Sequence, residues 1–290
     1  MKKLLGRTHD YLSLIRFSHT IFAMPFALAG YFIGATRPGY GFTLKTFLLV
    51  LACMVFARSA AMGFNRWADM YFDSLNPRTA VREIPSGKIT PRQALLFVTA
   101  SSLLFILSAA LLNKLTFILS PVALIIVLGY SYTKRFTPLC HLVLGLGLSL
   151  APIGAYLAVT GSFALLPLLY SFIVLTWVSG FDIIYSLQDD QFDRDTGLYS
   201  IPAVMSRGKA LAISVVLHLI TAALVVVAGV YGQAGFIYWT GAAIFTGLLI
   251  FQHMIVRPDD LSRVNLAFGT TNGISGVIFG LAVVLDLLLL

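Results

Sequence analysis

The chain has 290 residues, of which 58% are hydrophobic and 11% are charged, and its formal net charge is +8. A soluble domain carries roughly 25% charged residues, so this composition, with a mean hydropathy of +0.89, indicates an integral membrane protein. The positive charge does not indicate a nucleic-acid partner, because the basic residues lie in short loops between apolar runs rather than on a soluble surface.

Apolar runs long enough to cross a bilayer, about 20 residues each, predict nine transmembrane helices and an all-α fold. In chain order the predicted spans are 12–35, 43–64, 92–112, 116–133, 141–160, 163–187, 208–230, 234–256 and 267–290. The first run lacks a small-residue cleavage site and is interpreted as a retained helix rather than a signal peptide. We expect residues 1–290 to form a single transmembrane domain.

The basic residues predict the orientation of these helices. If the N-terminus is cytoplasmic, the outer loops hold only Arg37, Lys45 and Lys114, and the other 17 of the 20 Lys and Arg residues lie on or near the cytoplasmic side. Cytoplasmic loops carry an excess of Lys and Arg. The sequence therefore predicts a cytoplasmic N-terminus, an external C-terminus and loops 2–3, 4–5 and 6–7 in the cytoplasm.

A polar strip follows the second span. Asn65, Asp69 and Asp73 are spaced by four residues, which is about 400° on a helix, so their side chains share one face. An amide and two carboxylates stacked in this way suit a hard divalent cation.

A second strip follows the sixth span at a constant offset of 120 residues: Tyr185, Asp189 and Asp193. Asp182 lies seven residues before Asp189 and falls on the same helical face. The spans that carry the two strips have the same predicted orientation, so both strips face the cytoplasm. We expect two tandem four-helix bundles, helices 1–4 and 5–8, and a ninth helix, arranged around a central cavity.

Carboxylates at membrane depth are costly, and two metal ions bridging the strips to a shared anionic ligand would neutralise them. An anion held beside an apolar bundle indicates an isoprenoid diphosphate, whose allylic C–O bond ionises when the leaving diphosphate is stabilised. Basic residues available to hold the diphosphate are Arg66, Arg78, Arg82, Lys134 and Arg135. Rings available to steady an allylic cation are Phe64, Trp67, Tyr71, Tyr130, Tyr132, Phe181 and Tyr185.

At these residues the chain resembles the UbiA superfamily of intramembrane aromatic prenyltransferases. The resemblance rests on the two aspartate strips, on Asn-Pro-Arg-Thr-Ala-Val-Arg-Glu-Ile-Pro-Ser-Gly at 76–87, and on Tyr-Ser-Tyr-Thr-Lys-Arg-Phe-Thr at 130–137. It implies Mg²⁺-dependent transfer of a polyprenyl chain from its diphosphate to a ring carbon of a hydroxylated aromatic acid, for respiratory quinone biosynthesis in a bacterial plasma membrane. It also implies that Arg16 and Arg58 line the polar end of the cavity, near Tyr130 and Tyr185.

The sequence departs from the commonest family pattern at two positions, since Arg66 and Tyr185 stand where carboxylates are frequent. The run from Arg16 to Leu28 resembles a subgroup of 4-hydroxybenzoate polyprenyltransferases, some of which serve a menaquinone route with 1,4-dihydroxy-6-naphthoate as acceptor. Both acceptors remain open, as does the length of the prenyl chain.

A transporter is the alternative to an enzyme. Duplicated bundles with acidic residues also describe ion or small-anion transporters, but a carrier places such residues near the bilayer midplane, whereas these strips lie at one face. The enzyme hypothesis is therefore favoured.

The histidines are scattered along the chain and are predicted to form no cluster. Gly145, Gly147 and Gly154 in the fifth span are interpreted as sites of close helix packing.

Overall fold

The computed structural model describes residues 10–11, 13–15 and 23–289, and within these ranges all regular elements are helical. We number the long apolar helices in chain order as α1 (Met24–Ala35), α2 (Leu44–Ala68), α3 (Pro91–Ala110), α4 (Lys114–Thr133), α5 (Cys140–Thr160), α6 (Leu165–Ser186), α7 (Arg207–Tyr231), α8 (Phe236–Ile255) and α9 (Asn272–Leu289). Short helices Met70–Leu75, Asp190–Asp195 and Ile201–Val204 lie in the loops.

Eight of these helices, α2 to α9, are long and apolar enough to cross a membrane. The remaining helix, α1, is apolar but has only 12 residues in the described part of the chain. The predicted all-helical membrane fold is confirmed, but the count of nine spans is not. Most observed bounds lie within a few residues of the predicted ones, because local signals fix them. For example, Thr90 and Gln93 form a capping box at the start of α3, with Pro91 in its first turn.

The helices form a ring around a cavity. Helices α2, α3 and α4 pack against one another, α4 continues to α5, and α5 to α9 follow as sequential neighbours. Helix α1 packs against α9 and α5, and its smaller contact with α2 closes the ring. An aromatic core centred on Trp177 fills the α6 to α9 side, with Phe26, Phe245 and Phe279 around it. The tandem repeat of helices 1–4 and 5–8 stays a prediction.

Glycines explain how closely some helices approach. A Cβ atom on Gly30 of α1 would lie 2.7 Å from the carbonyl carbon of Pro152 in α5, and one on Gly145 would collide with Ser179 and Leu175 of α6. The packing role predicted for Gly145 is therefore confirmed. The same prediction is wrong for Gly154, whose Cβ direction meets no atom within 4 Å and opens into the cavity.

The cavity has a volume of about 650 Å³ and lies between α2 and α4 on one side and α5 and α6 on the other. Its lining on α5 runs from Cys140 to Ala158, a length of about 27 Å at the helical rise of about 1.5 Å per residue. One end is lined by the first strip and by Asp182, Tyr185 and Asp189 of the second, whereas Asp193 is fully buried and is not part of the lining. The opposite end is apolar, with Leu112, Leu157 and Phe163. The fold thus places a polar mouth above a long apolar channel.

Candidate active site at the polar end of the cavity

The first strip begins in the last turn of α2 and continues beyond it. Helix α2 ends at Ala68, and Asp69 has φ −93° and ψ 6° before the next short helix. Helical bonding still passes through this break, since Asp69 N–H donates to Asn65 O at 2.9 Å and Asp73 N–H donates to Asp69 O at 2.8 Å. Asn65 Nδ2 donates to Asp69 Oδ2 at 2.9 Å, so the predicted stacking on one face is present.

The second strip is less regular than predicted. Asp182 and Tyr185 lie in α6, but Leu187–Asp189 forms a 3-10 turn and Asp193 lies in the following short helix. Leu187 is fully buried against Ile183, Ile184 and Ile201. Burying this side chain favours the tighter turn, which leaves Asp189 facing the cavity.

Basic residues from the loops pair with the carboxylates of both strips. In the first strip, Arg82 Nη1 lies 2.6 Å from Asp73 Oδ1, and Arg135 Nη2 lies 3.6 Å from Asp69 Oδ1. In the second strip, Lys134 Nζ lies 2.7 Å from Asp193 Oδ1. Consecutive residues of the α4–α5 loop therefore bind to different strips, which holds the two strips on opposite sides of one mouth.

The α2–α3 loop crosses from the first strip to the second. Arg78 Nε donates to Asp189 Oδ1 at 3.0 Å, and Arg78 Nη2 forms a second bond to Asp189 Oδ2. Asn76 Nδ2 also donates to Asp189 Oδ1, at 3.1 Å, while its own Oδ1 accepts from Arg78 N–H. The α2–α3 loop is therefore fixed over the mouth by these hydrogen bonds.

Burial and neighbouring charges set the protonation of groups at the mouth. Burial raises the pKa of Asp69 to about 6, and repulsion by Asp73 adds to the rise, while Lys134 and Arg135 oppose it. Burial alone would lower the pKa of Lys134, but the Asp193 carboxylate outweighs it and raises that pKa above its usual value. Lys134 therefore stays charged in its buried pair.

The remaining predicted residues are divided between the cavity wall and other places. Arg58, Arg66, Tyr130 and Tyr185 line the cavity, whereas Arg16 lies outside the described residues. Among the rings predicted to face a cation, Phe181 also lines the cavity, but Phe64, Trp67, Tyr71 and Tyr132 do not. Tyr71 is 65% exposed. It lies two residues after Asp69, about 200° around the helix, and therefore on the face opposite the strip.

Histidines contribute contacts that the sequence pattern did not indicate. His141 Nδ1 lies 2.7 Å from Asp182 Oδ2, and its Nε2 accepts from Ile201 N–H. Nδ1 therefore carries a proton and donates a hydrogen bond to the carboxylate. His218 Nδ1 lies 2.7 Å from His253 Nε2 in the helix core. The prediction that the histidines form no cluster is wrong, and no spacing in the sequence could have shown these pairs.

The strips fit Mg²⁺ in their donor chemistry. They offer amide and carboxylate oxygens, which Mg²⁺ prefers, and Asp73 Oδ2 is buried without a hydrogen-bond partner among the described residues. Among the described residues, no three His, Cys, Asp or Glu side chains lie close enough together to form a ready-made metal site. The carboxylates are instead arranged around the cations of the loops.

The chain is thus an all-helical membrane protein in which two carboxylate strips and basic loops lie at the mouth of an apolar cavity, an arrangement that suits an amphipathic anion. The chain belongs to the UbiA prenyltransferase family, whose sequence profile matches residues 23–277. It is therefore a prenyltransferase, and the enzyme hypothesis is confirmed over the transporter.

Curated relatives support this assignment. The 4-hydroxybenzoate octaprenyltransferase of Nitrosospira multiformis is 32% identical over 248 residues, which cover 84% of each chain. The enzyme of the same name from Nitrosomonas europaea is also 32% identical, over 81% of this chain and 80% of its own.

Solved structures share the fold. The apo structure of a UbiA homologue from Aeropyrum pernix is 37% identical, with a TM-score of 0.84 over 92% of this chain and 98% of its own. A UbiA homologue from Archaeoglobus fulgidus bound to GPP and Mg²⁺ is 21% identical, with a TM-score of 0.69 over 95% of this chain and 99% of its own. At that identity the second likeness shows the fold alone.

Proposed function

We propose that the enzyme transfers a polyprenyl group from a polyprenyl diphosphate to a ring carbon of 4-hydroxybenzoate, with Mg²⁺ as cofactor, in ubiquinone biosynthesis. The name shared by the curated relatives supports the acceptor. The observation that carries the proposal is the joining of two oxygen-rich strips by Asn76, Arg78, Lys134 and Arg135 above an apolar channel.

The two parts of the cavity match the two parts of a polyprenyl diphosphate. The apolar wall along α4 and α5 suits the tail, and the cations at the mouth suit the phosphate oxygens. Asn65, Asp69, Asp73, Asp182, Asp189 and Asp193 would hold Mg²⁺, which would neutralise the charge of the leaving diphosphate. Arg66, Arg78, Arg82, Lys134 and Arg135 would bind its remaining oxygens, the last four after release from their present carboxylate partners.

Arg58 is proposed to bind the carboxylate of the acceptor. It lies on α2 inside a membrane span, lines the cavity, and has a buried Nε with no hydrogen-bond partner among the described residues. A guanidinium in such a place is costly without an anion. A carboxylate on the acceptor provides that anion and orients the aromatic ring towards the mouth. Arg16, which lies outside the described residues, stays predicted at the same polar end.

The orientation and cellular site of the enzyme are proposed on the same basis. The bacterial relatives and the distribution of basic residues support a bacterial plasma membrane, with the N-terminus and the active-site loops in the cytoplasm. In that orientation the mouth faces the compartment that supplies Mg²⁺ and the soluble acceptor. A cysteine-labelling assay with a membrane-impermeant reagent tests this, since a variant with a single cysteine at Ser86 should react only in inverted vesicles.

A direct assay tests the reaction. Purified enzyme is supplied with Mg²⁺, a long-chain polyprenyl diphosphate, and either 4-hydroxybenzoate or 1,4-dihydroxy-6-naphthoate, and the prenylated products are separated and identified. We expect turnover with the benzoate. Turnover with the naphthoate alone would refute the proposed acceptor and favour a menaquinone route, and no alkylation of either acceptor would refute the proposed reaction.

An Arg58→Met variant in the same assay tests the acceptor site. We expect a higher concentration of 4-hydroxybenzoate at half-maximal rate and little change for the diphosphate, because the lost charge faces the acceptor. The matched control is Arg194→Met, which removes an arginine bound to Asp190 outside the cavity wall. If both substitutions raise the 4-hydroxybenzoate concentration at half-maximal rate equally, the proposed role of Arg58 is refuted.

A further inference from the structure

A π-helical turn, Leu266–Thr271, lies directly before α9. Such a turn holds one residue more than the α-helical turn, so it rotates the preceding residues by about 100° relative to the helix that follows. Phe268, in the middle of the turn, lines the cavity, while Asn272 and Gly276 face Trp177 in the core. The turn therefore lets one helix serve both the core and the cavity.

Phe268 reaches the second aspartate strip through Tyr185. The two rings are stacked, with centroids 4.0 Å apart and an interplanar angle of 28°. Tyr185 Oη lies 3.1 Å from Arg78 Nη1, and Arg78 binds Asp189. Phe181 meets Phe268 edge-on, with centroids 5.5 Å apart. An aromatic wall thus lies beside the residues proposed to hold the diphosphate.

Asn272 holds this turn in place through a fully buried side chain. Its Nδ2 donates to Ala267 O in the turn at 2.8 Å and to Gln252 Oε1 of α8 at 3.1 Å. Its Oδ1 accepts from Trp177 Nε1 of α6 at 3.0 Å. A buried amide is tolerated because these bonds satisfy it, and together they fix the turn to two neighbouring helices.

We propose that Phe268 is a catalytic residue whose ring stabilises the allylic cation, and that Asn272 is the positioning residue that holds this ring beside Tyr185. The proposal rests on the proposed prenyl transfer. It is carried by the stacked pair at the diphosphate end of the cavity and by the buried amide that fixes the turn.

The allylic cation can react in two ways. The C–O bond between the allylic carbon and the diphosphate breaks, and its electron pair leaves with the diphosphate. The cation then forms a C–C bond with a ring carbon of the acceptor, and that carbon loses its proton. If water reaches the cation first, a C–O bond forms, a proton is released, and the product is the polyprenyl alcohol. A ring face that stabilises and covers the cation favours the first outcome.

The ratio of polyprenyl alcohol to prenylated acceptor measures this partition. We expect Phe268→Leu to lower the rate of prenyl transfer about 2- to 30-fold, the range for loss of one cation–π contact, and to raise the ratio because water can then reach the cation. Phe268→Tyr should keep both the rate and the ratio near the wild-type values. Asn272→Ala should raise the ratio although the Phe268 ring is retained. If Asn272→Ala does not fold, Gln252→Met, which removes one of its acceptors, replaces it in the same measurement.

Phe245→Leu is the matched control. Phe245 is fully buried, stacks on Phe279 and contacts Trp177, but it does not line the cavity. We expect this variant to lose thermal stability with an unchanged product ratio. An unchanged ratio in Phe268→Leu, or an equal rise in Phe245→Leu, would overturn the proposal. Wild-type enzyme that forms no prenylated acceptor would instead refute the proposed function, so the two failures are distinguishable.

Discussion

Gly30 at the α1–α5 contact and Gly154 in the cavity wall of α5 should respond in opposite ways to the same substitution. Gly30→Ala places a Cβ atom 2.7 Å from the carbonyl carbon of Pro152 and 2.8 Å from its Cα. These are backbone atoms that cannot rotate away, so α1 must move. Overpacking costs about 1–3 kcal/mol, and alanine returns about 1 kcal/mol of helix propensity. We expect a net loss of about 2 kcal/mol, since the rigid contact places the cost at the upper end.

Gly154→Ala is the matched variant, on the facing helix and two residues beyond Pro152. Its Cβ meets no atom within 4 Å, so only the gain in helix propensity remains, up to about 1 kcal/mol. Thermal unfolding in detergent should show a melting temperature lowered by about 4–8 °C for Gly30→Ala and unchanged or slightly raised for Gly154→Ala. Similar losses for both variants would refute the assignment of Gly154 to the cavity wall.

A larger side chain at Gly154 should change which prenyl diphosphates the enzyme accepts and should leave the fold intact. Gly154 lies 13 residues after His141 in α5, about 20 Å from the polar mouth, in the apolar part of the cavity. Gly154→Phe should keep its turnover of short prenyl diphosphates and lose turnover of long ones, because the ring fills the path of the tail. Competition between a short and a long prenyl diphosphate measures this, and an unchanged preference would show that the tail takes another route.

The remaining predictions concern the mouth. Asp69→Ala and Asp189→Ala should each abolish turnover while the protein stays folded, because each removes a proposed metal ligand; a wild-type rate in either purified variant would contradict the two-strip mechanism. Lys134→Ala should raise the concentration of prenyl diphosphate at half-maximal rate, whereas an unchanged dependence would indicate that Lys134 serves only to pair with Asp193. Chelation of divalent cations should stop turnover and added Mg²⁺ should restore it, and activity that persists in chelator would exclude Mg²⁺ as the required cofactor.

Periodicity explains why much of the site could be predicted from the sequence. Spacings of four within each strip, and the offset of 120 residues between them, are visible because helical geometry maps them directly onto one face. The positive charge of the α4–α5 loop is equally local, and Lys134 and Arg135 indeed lie between the strips. These features need no knowledge of how distant segments pack.

Features that depend on distant packing were not predictable. The 3-10 turn before Asp190 follows from burial of Leu187 against residues that include Ile201, and the contact of Phe268 with Tyr185 joins residues 83 positions apart through a π-helical turn. Gly154 and Gly145 look alike in the sequence, yet one opens into the cavity and the other touches α6. Only the packing of the neighbouring helices distinguishes them.

The ion pairs at the mouth have a consequence for how ligands bind. Because Asp73, Asp189 and Asp193 already have internal counterions in Arg82, Arg78 and Lys134, the proposed uptake of Mg²⁺ and diphosphate is an exchange of partners rather than the filling of bare charges. Metal binding would release the basic side chains, and diphosphate binding would release the carboxylates. Each ligand should therefore raise the affinity for the other by the same factor, as thermodynamic linkage requires. In this scheme neither Mg²⁺ nor the diphosphate alone binds tightly. The internal ion pairs keep the mouth electrically balanced until both ligands are bound.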